Sequence, residues 1–160
     1  MTENIGRTAD SIFATRVNEM AYLVNRLAER GCITTTENSS IQDLLALLAK
    51  HNVGAVVVVD NDDKPTGIVS ERDVVRYLDK SNLSLANTVV AGIMSRNFIS
   101  CNLSTKSSEL MELMTKNKIR HVPILESDRL LGMVSIGDVV SRLIDIYVKE
   151  NEQLRQYINS

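Results

Sequence analysis

Two copies of one short pattern carry most of the chemistry that this sequence offers. Ser70-x-x-Asp73 and Ser135-x-x-Asp138 close the runs Gly67-Ile68-Val69-Ser70 and Gly132-Met133-Val134-Ser135. A serine followed three residues on by an acid is the signature of a capped helix start. The hydroxyl satisfies an amide of the first turn, and the carboxylate sits at the positive end of the helix dipole. The same geometry can serve a ligand. A carboxylate on a first helical turn that faces a cleft can accept hydrogen bonds from both hydroxyls of a ribose, as an acidic residue does in dinucleotide-binding folds. The serine hydroxyl and the first-turn amides can meet a phosphate. Capping and binding are compatible, and the residue types leave both open.

Other reactive groups are sparse. Cys32 and Cys101 lie 69 residues apart with no CxxC or HxxxH pattern beside them, so a zinc site is not expected and buried, reduced thiols are. His51 reads as an exposed residue after a helix, and neither it nor His121 has an evident catalytic partner. There is no GxxxxGK[ST] loop and no nucleophile–base pair, so no catalytic activity is expected. The 160 residues are 44% hydrophobic and 24% charged, with 20 acids against 18 bases and a net charge of −2. That balance argues against a dedicated nucleic-acid binder. Without Trp and with two Phe, the core must be aliphatic, and a base-stacking surface is not expected. No apolar run reaches the ~18 residues of a membrane span. The start, MTENIGRTAD, does not read as a secretory signal. The expected location is the cytoplasm.

The elements that must position the two S-x-x-D pairs are themselves duplicated. GIVSERDVVRYL (67–78) and GMVSIGDVVSRL (132–143) agree at seven of twelve positions, 65 residues apart. Upstream the separation is 66: Val24 matches Val90, Leu27 matches Ile93, Ile33 matches Ile99, Leu44 matches Leu110 and Val56 matches Val122. The one-residue difference falls at NDDKPT against SDRLL, a turn, where an insertion costs least. Each copy opens with a β-prone stretch, Ile33-Thr34-Thr35 or Phe98-Ile99-Ser100. An amphipathic helix follows, with Ile41, Leu44, Leu45 and Leu48 on one face behind a cap at Ser40-x-x-Asp43, or with Leu110, Met111, Leu113 and Met114. Next come a strand (Ala55 to Val59, or Val122 to Leu125), a turn and a strand (Gly67 to Val69, or Leu131 to Val134), then a helix from Asp73 or Asp138. The unbroken Val56–Val59 run predicts a strand covered on both faces.

The order is therefore β-α-β-β-α, twice. One copy is too small to bury a good core, and two packed together are not. The expected fold is α/β (α+β), two such repeats forming one pseudo-symmetric module with helical N- and C-terminal extensions. The expected boundaries are 1–21 for the N-terminal extension, 22–83 and 84–145 for the repeats, and 146–160 for the C-terminal extension. Residues 8–29 read as helical. The tail continues the last helix with an apolar stripe of Ile144, Tyr147, Val148, Leu154, Tyr157 and Ile158, a packing face for its own domain or a second subunit.

The paired GIVSERD and GMVSIGD elements, each just after AVVVVD or HVPILE, resemble a tandem pair of cystathionine-β-synthase (CBS) domains, a Bateman module. The resemblance covers roughly residues 22–145 and extends to small stand-alone bacterial CBS-pair proteins. It implies a non-catalytic regulatory or sensor module that takes an adenosine-containing ligand in clefts between the repeats. AMP comes first, with NAD(H), ATP, ADP and S-adenosylmethionine as others. It also implies a homodimer through the module's helices and a regulated protein of unknown identity. A ligand-free interaction scaffold is the alternative.

By the same resemblance, Asp73 and Asp138 would bind ribose, with Ser70 and Ser135 at the phosphates. Arg120 and His121 stand where basic residues of the family often meet phosphates, a role that suits the forked guanidinium. Repeat one has Gly54 and Ala55 there, so the two clefts should differ, and its nearest cations are Arg72 and Arg76. Thr34 and Ser100 match the family's hydroxyl residue near the nucleotide. Val53, Ile119 and Pro123 would wall the adenine, with Val122 and Ile136 close by.

Overall fold

A computed structural model of the protein describes residues 23–80 and 85–159. The expected extension over 1–21 lies outside the described residues. Residues 23–30 form helix α1, which ends at Gly31, whose φ of 73° suits the residue without a Cβ. Then come β1 (Thr34–Thr36), α2 (Ile41–His51), β2 (Ala55–Val59), β3 (Pro65–Ser70) and α3 (Glu71–Lys80). Two 3₁₀ turns, Leu85–Asn87 and Val90–Gly92, lead to α4 (Ser107–Asn117), β4 (His121–Glu126), β5 (Arg129–Ser135) and the long α5 (Ile136–Asn159).

In the first repeat β1 runs parallel to β2, with Thr35 opposite Val58, and β2 runs antiparallel to β3. All five residues of β2 are buried, as an unbroken valine run requires of a central strand. In the second repeat β4 and β5 pair antiparallel. The strand expected at Phe98–Ser100 reduces to a single parallel bridge, Cys101 opposite Ile124, held by the Cys101 N–H on Pro123 O (2.9 Å) and the Leu125 N–H on Cys101 O (2.8 Å). Cys101 stands 66 residues after Thr35 and Ile124 stands 66 after Val58, so the register is repeated even where the strand is not. The expected cap of α2 is present: Ser40 Oγ accepts the Asp43 N–H at 3.0 Å and donates to Asp43 Oδ2 at 2.7 Å. The expected length difference also sits in the turn. Residues 60–64 join β2 to β3, with Asp60 Oδ1 accepting the Asp62 and Lys64 amides. Ser127 and Asp128, both at positive φ, make the tighter β4–β5 turn.

Each repeat completes its core with the segment that precedes the other. Val24 and Leu27 of α1 are buried with Leu110, Met114, Val122, Ile124 and Val134 of the second repeat. Val90 is buried with Ile41, Leu44, Val56 and Val69 of the first, and Ile93 and Met94 pack beside it. Glycine permits this crossing. A Cβ at Gly132 would stand 2.9 Å from the Leu27 carbonyl oxygen, and one at Gly67 would stand 2.6 Å from the Ser95 carbonyl oxygen and collide with Met94. The matched pairs Val24/Val90 and Leu27/Ile93 are thus equivalent residues in exchanged positions, and neither half can close its core alone.

Candidate functional site

The two strand-to-helix junctions are built alike. At β3–α3 the Ser70 N–H and hydroxyl both donate to Asp73 Oδ2, at 2.8 and 2.7 Å, and the Asp73 N–H approaches Ser70 Oγ at 3.4 Å. At β5–α5 the Ser135 N–H and hydroxyl donate to Asp138 Oδ2 at 2.9 and 2.7 Å, with the Asp138 N–H 3.3 Å from Ser135 Oγ. Both capping boxes are therefore real. In each, the bonds to the carboxylate converge on Oδ2, and Oδ1 accepts no hydrogen bond among the described residues. The capping geometry fixes the carboxylate through one oxygen.

Asp138 opens onto a cavity of about 620 Å³ between the repeats. One wall comes from the first repeat: Ile33, Asn52, Val53, Gly54 and Ala55. The opposite wall is His121, Met133, Ser135 and Asp138. Leu27, Arg30, Gly31 and Cys32, where α1 ends, complete the lining. The wall residues converge because Asn52 takes a left-handed φ of 52° that ends α2 and turns the chain into β2. The volume is of the size that small-molecule sites occupy.

Of the residues singled out from the sequence, Val53, Gly54, Ala55, His121, Ser135 and Asp138 meet at this cavity. Ser70 and Asp73 form the equivalent junction and do not line it. Thr34 is half-buried in β1 beside the lining residues Cys32 and Ile33, whereas its counterpart Ser100 is exposed. Val122 and Pro123 are buried in β4, and Ile119 and Ile136 are half-buried against the second core. Arg72, Arg76 and Arg120 are exposed and lie outside the lining.

Arg30 is the cation that sequence reasoning missed. It lines this cavity and also an adjoining hollow of about 260 Å³, which adds Arg26, Ser141 and Arg142 and shares Leu27 and Asp138. The repeat register held a signal for it, because Arg30 stands 66 residues before Arg96. Arg96 is committed elsewhere: its guanidinium donates to both Glu37 oxygens, at 2.7 and 2.9 Å, which holds the Glu37 carboxyl below its ordinary range. Met133 was also missed.

His121 is half-buried in the cavity wall. A Cβ on Gly54 would be 3.4 Å from both His121 Cε1 and Glu71 Oε1, so these three residues meet where the repeats face each other. Burial lowers the His121 pKa below its ordinary value, with Arg120 acting in the same direction, while Glu71 and Asp138 oppose. The ring is neutral at pH 7 and can donate from one nitrogen and accept at the other. Burial pushes the Cys32 and Cys101 thiols up to about 11, so both are protonated and unreactive at neutral pH. Among the described residues no group of three or more His, Cys, Asp or Glu could hold a metal ion. No described helix is long and apolar enough to cross a membrane.

Two pseudo-symmetric halves, exchanged core segments and a cleft at a capped Ser-x-x-Asp junction define a tandem-repeat module. The chain belongs to the CBS-domain family, whose model matches residues 24–80 and 90–145. It is 32% identical to the mitochondrial CBS domain-containing protein CBSX3 of Arabidopsis thaliana, over 91% of this chain and 72% of that protein. Its fold matches the CBS-domain protein ATU1752 of Agrobacterium tumefaciens (TM-score 0.71, 35% identity, 77% of this chain and 91% of that one). It also matches the CBS pair of protein MJ0100 solved with 5-methylthioadenosine and S-adenosyl-L-methionine (TM-score 0.64, 29% identity, 71% and 92%). The CBS-pair architecture expected from the sequence is the one found.

Proposed function

We propose that this chain is a non-catalytic sensor that binds an adenosine nucleotide in the cavity at Asp138. AMP is the first candidate, then NAD(H), ATP or ADP. The observation that carries the reading is the Asp138 carboxylate, which lines the cavity and is fixed through Oδ2 by Ser135. A ribose diol would donate to that carboxylate. The adenine would lie between the apolar side chains of Val53 and Met133, where the missing side chain of Gly54 leaves room. Arg30 and His121 are the phosphate-facing groups, with Arg120 nearby in sequence. The adenosine-type ligands of the MJ0100 pair support the same ligand class.

Ligand can shift the module's conformation only as far as it discriminates between two states. The readout passes to a regulated cytoplasmic partner through a homodimer that uses the exposed faces of α3 and α5, where Val75, Leu78, Val140 and Ile144 meet solvent. Thermal unfolding with millimolar AMP, ADP, ATP, NAD(H) or S-adenosylmethionine tests the reading. A ligand at 100 times its Kd adds about 2.7 kcal/mol to stability and raises Tm by several degrees. No shift with any of the five would overturn the proposal.

A further inference from the structure

Helix α5 is 24 residues long, and its two long faces have different fates. Val139 is buried in the second core, Leu143 packs against it, and Ile146 and Glu150 continue this half-buried side. A second row faces solvent: Val140, Ile144, Tyr147, Asn151, Leu154 and Ile158. Leu154 is 59% exposed and Ile158 78%, a large apolar surface for the end of a helix. The steps along this row are four, three, four, three and four residues. That is a 3.5-residue period, the seam of a left-handed coiled coil.

We propose that this seam is a short parallel coiled coil between two copies of this chain, in register at Asn151. In heptad terms Ile144, Asn151 and Ile158 occupy position a, and Val140, Tyr147 and Leu154 occupy position d. At Leu154 and Ile158 the d and a residues are the types that favour two parallel strands. The single polar member fixes orientation. In a parallel pair, a faces a, so Asn151 of one copy meets Asn151 of the other and the two amides bond each other. In an antiparallel pair, a faces d, and each Asn151 would be buried against Val, Tyr or Leu carbons. The flanks agree: the parallel register brings Glu150, at g, toward Arg155, at e of the other copy's next heptad. Rim pairs of this kind contribute little stability and mainly select orientation. Little more than two heptads is marginal for an isolated helix pair, so the seam needs the folded module to bring the helices together.

This inference rests on the homodimer reading above, and one experiment separates the two. In the whole 160-residue chain, Asn151→Cys places a thiol at the seam, and Gln153→Cys places one at position c, exposed and off the seam. Each variant, and the wild type with its shielded Cys32 and Cys101, is oxidised with diamide and run on a non-reducing gel. Native mass measurement is made in parallel. The expected result is a native dimer, with Asn151→Cys largely converted to a species of twice 17.8 kDa while Gln153→Cys and wild type run as single chains. A native dimer in which position 151 cross-links no faster than 153 would overturn the coiled coil and leave the homodimer standing. A native monomer would overturn both.

Discussion

Asp73 and Asp138 are held by the same hydrogen bonds at the same kind of junction, yet Asp138 lines the large cavity and Asp73 does not. The difference lies in what each faces. The wall opposite Asp138 contains Gly54 and Ala55, and the symmetry-related positions are Arg120 and His121. Gly54 and Ala55 leave space in the wall of the Asp138 cavity, and their counterparts are larger and polar. The cations diverge as well: Arg30 faces the cavity, while its counterpart Arg96 is spent on Glu37. The first residue of the helix differs too, Glu71 against Ile136. Duplication has kept the Ser-x-x-Asp caps and the core positions, while the residues around the Asp138 cavity have diverged.

The largest effect should come from the shared frame. Leu44 and Leu110 occupy equivalent helix positions and are both fully buried. Leu44→Ala and Leu110→Ala should each cost about 2–5 kcal/mol. Because each core contains the other repeat's leading segment, both variants should still unfold in one transition, with CD and fluorescence of a probe in either half coinciding. Two separated transitions would break the comparison, since they would mean that the halves are independent.

Binding is the next test, and it should split the halves. Asp73→Asn and Asp138→Asn each weaken a cap, at about 0.5–2 kcal/mol of stability. Only Asp138→Asn should also lose nucleotide affinity, by roughly tenfold or more, the scale of a lost hydrogen bond to a charged group. Calorimetric titration of both variants measures it. Equal losses would place ligand at both junctions, and loss at Asp73 alone would reverse the assignment.

Much of this was legible before any fold was seen. The repeat fixed the element order, the turn carrying the length difference and the Ser-Asp caps, because those depend on local pattern. What the pattern could not carry was which half each leading segment packs against. Val24 and Leu27 match Val90 and Ile93 whether they lie on their own repeat or on the other. Arg30 was missed through that ambiguity: it shares a cavity with Asp138 because α1 packs on the second repeat. Phe98–Ser100 fell short of a strand for a related reason. β-propensity is shared by the two copies, whereas pairing depends on the neighbours that tertiary structure supplies.

The smallest expected effect concerns His121, which has only Ala55 as its counterpart. Its folded-state pKa is below the unfolded value, so as pH falls through about 6.5 the unfolded chain takes up a proton that the folded chain resists. Stability should therefore decline with acidification in that window, fully on the basic side and reduced below the folded pKa. Glu37 acts in a lower range, because its depressed pKa supports the fold above the ordinary carboxylate value and that support is lost only in stronger acid. His121→Asn should flatten the decline between pH 7.5 and 5.5 in urea titrations, and an unchanged slope would show that the ring is freely protonated in place. Bound phosphate should reverse the sign. An anion beside the ring favours the imidazolium, so nucleotide affinity should rise as pH falls over the same interval, in wild type and not in the variant.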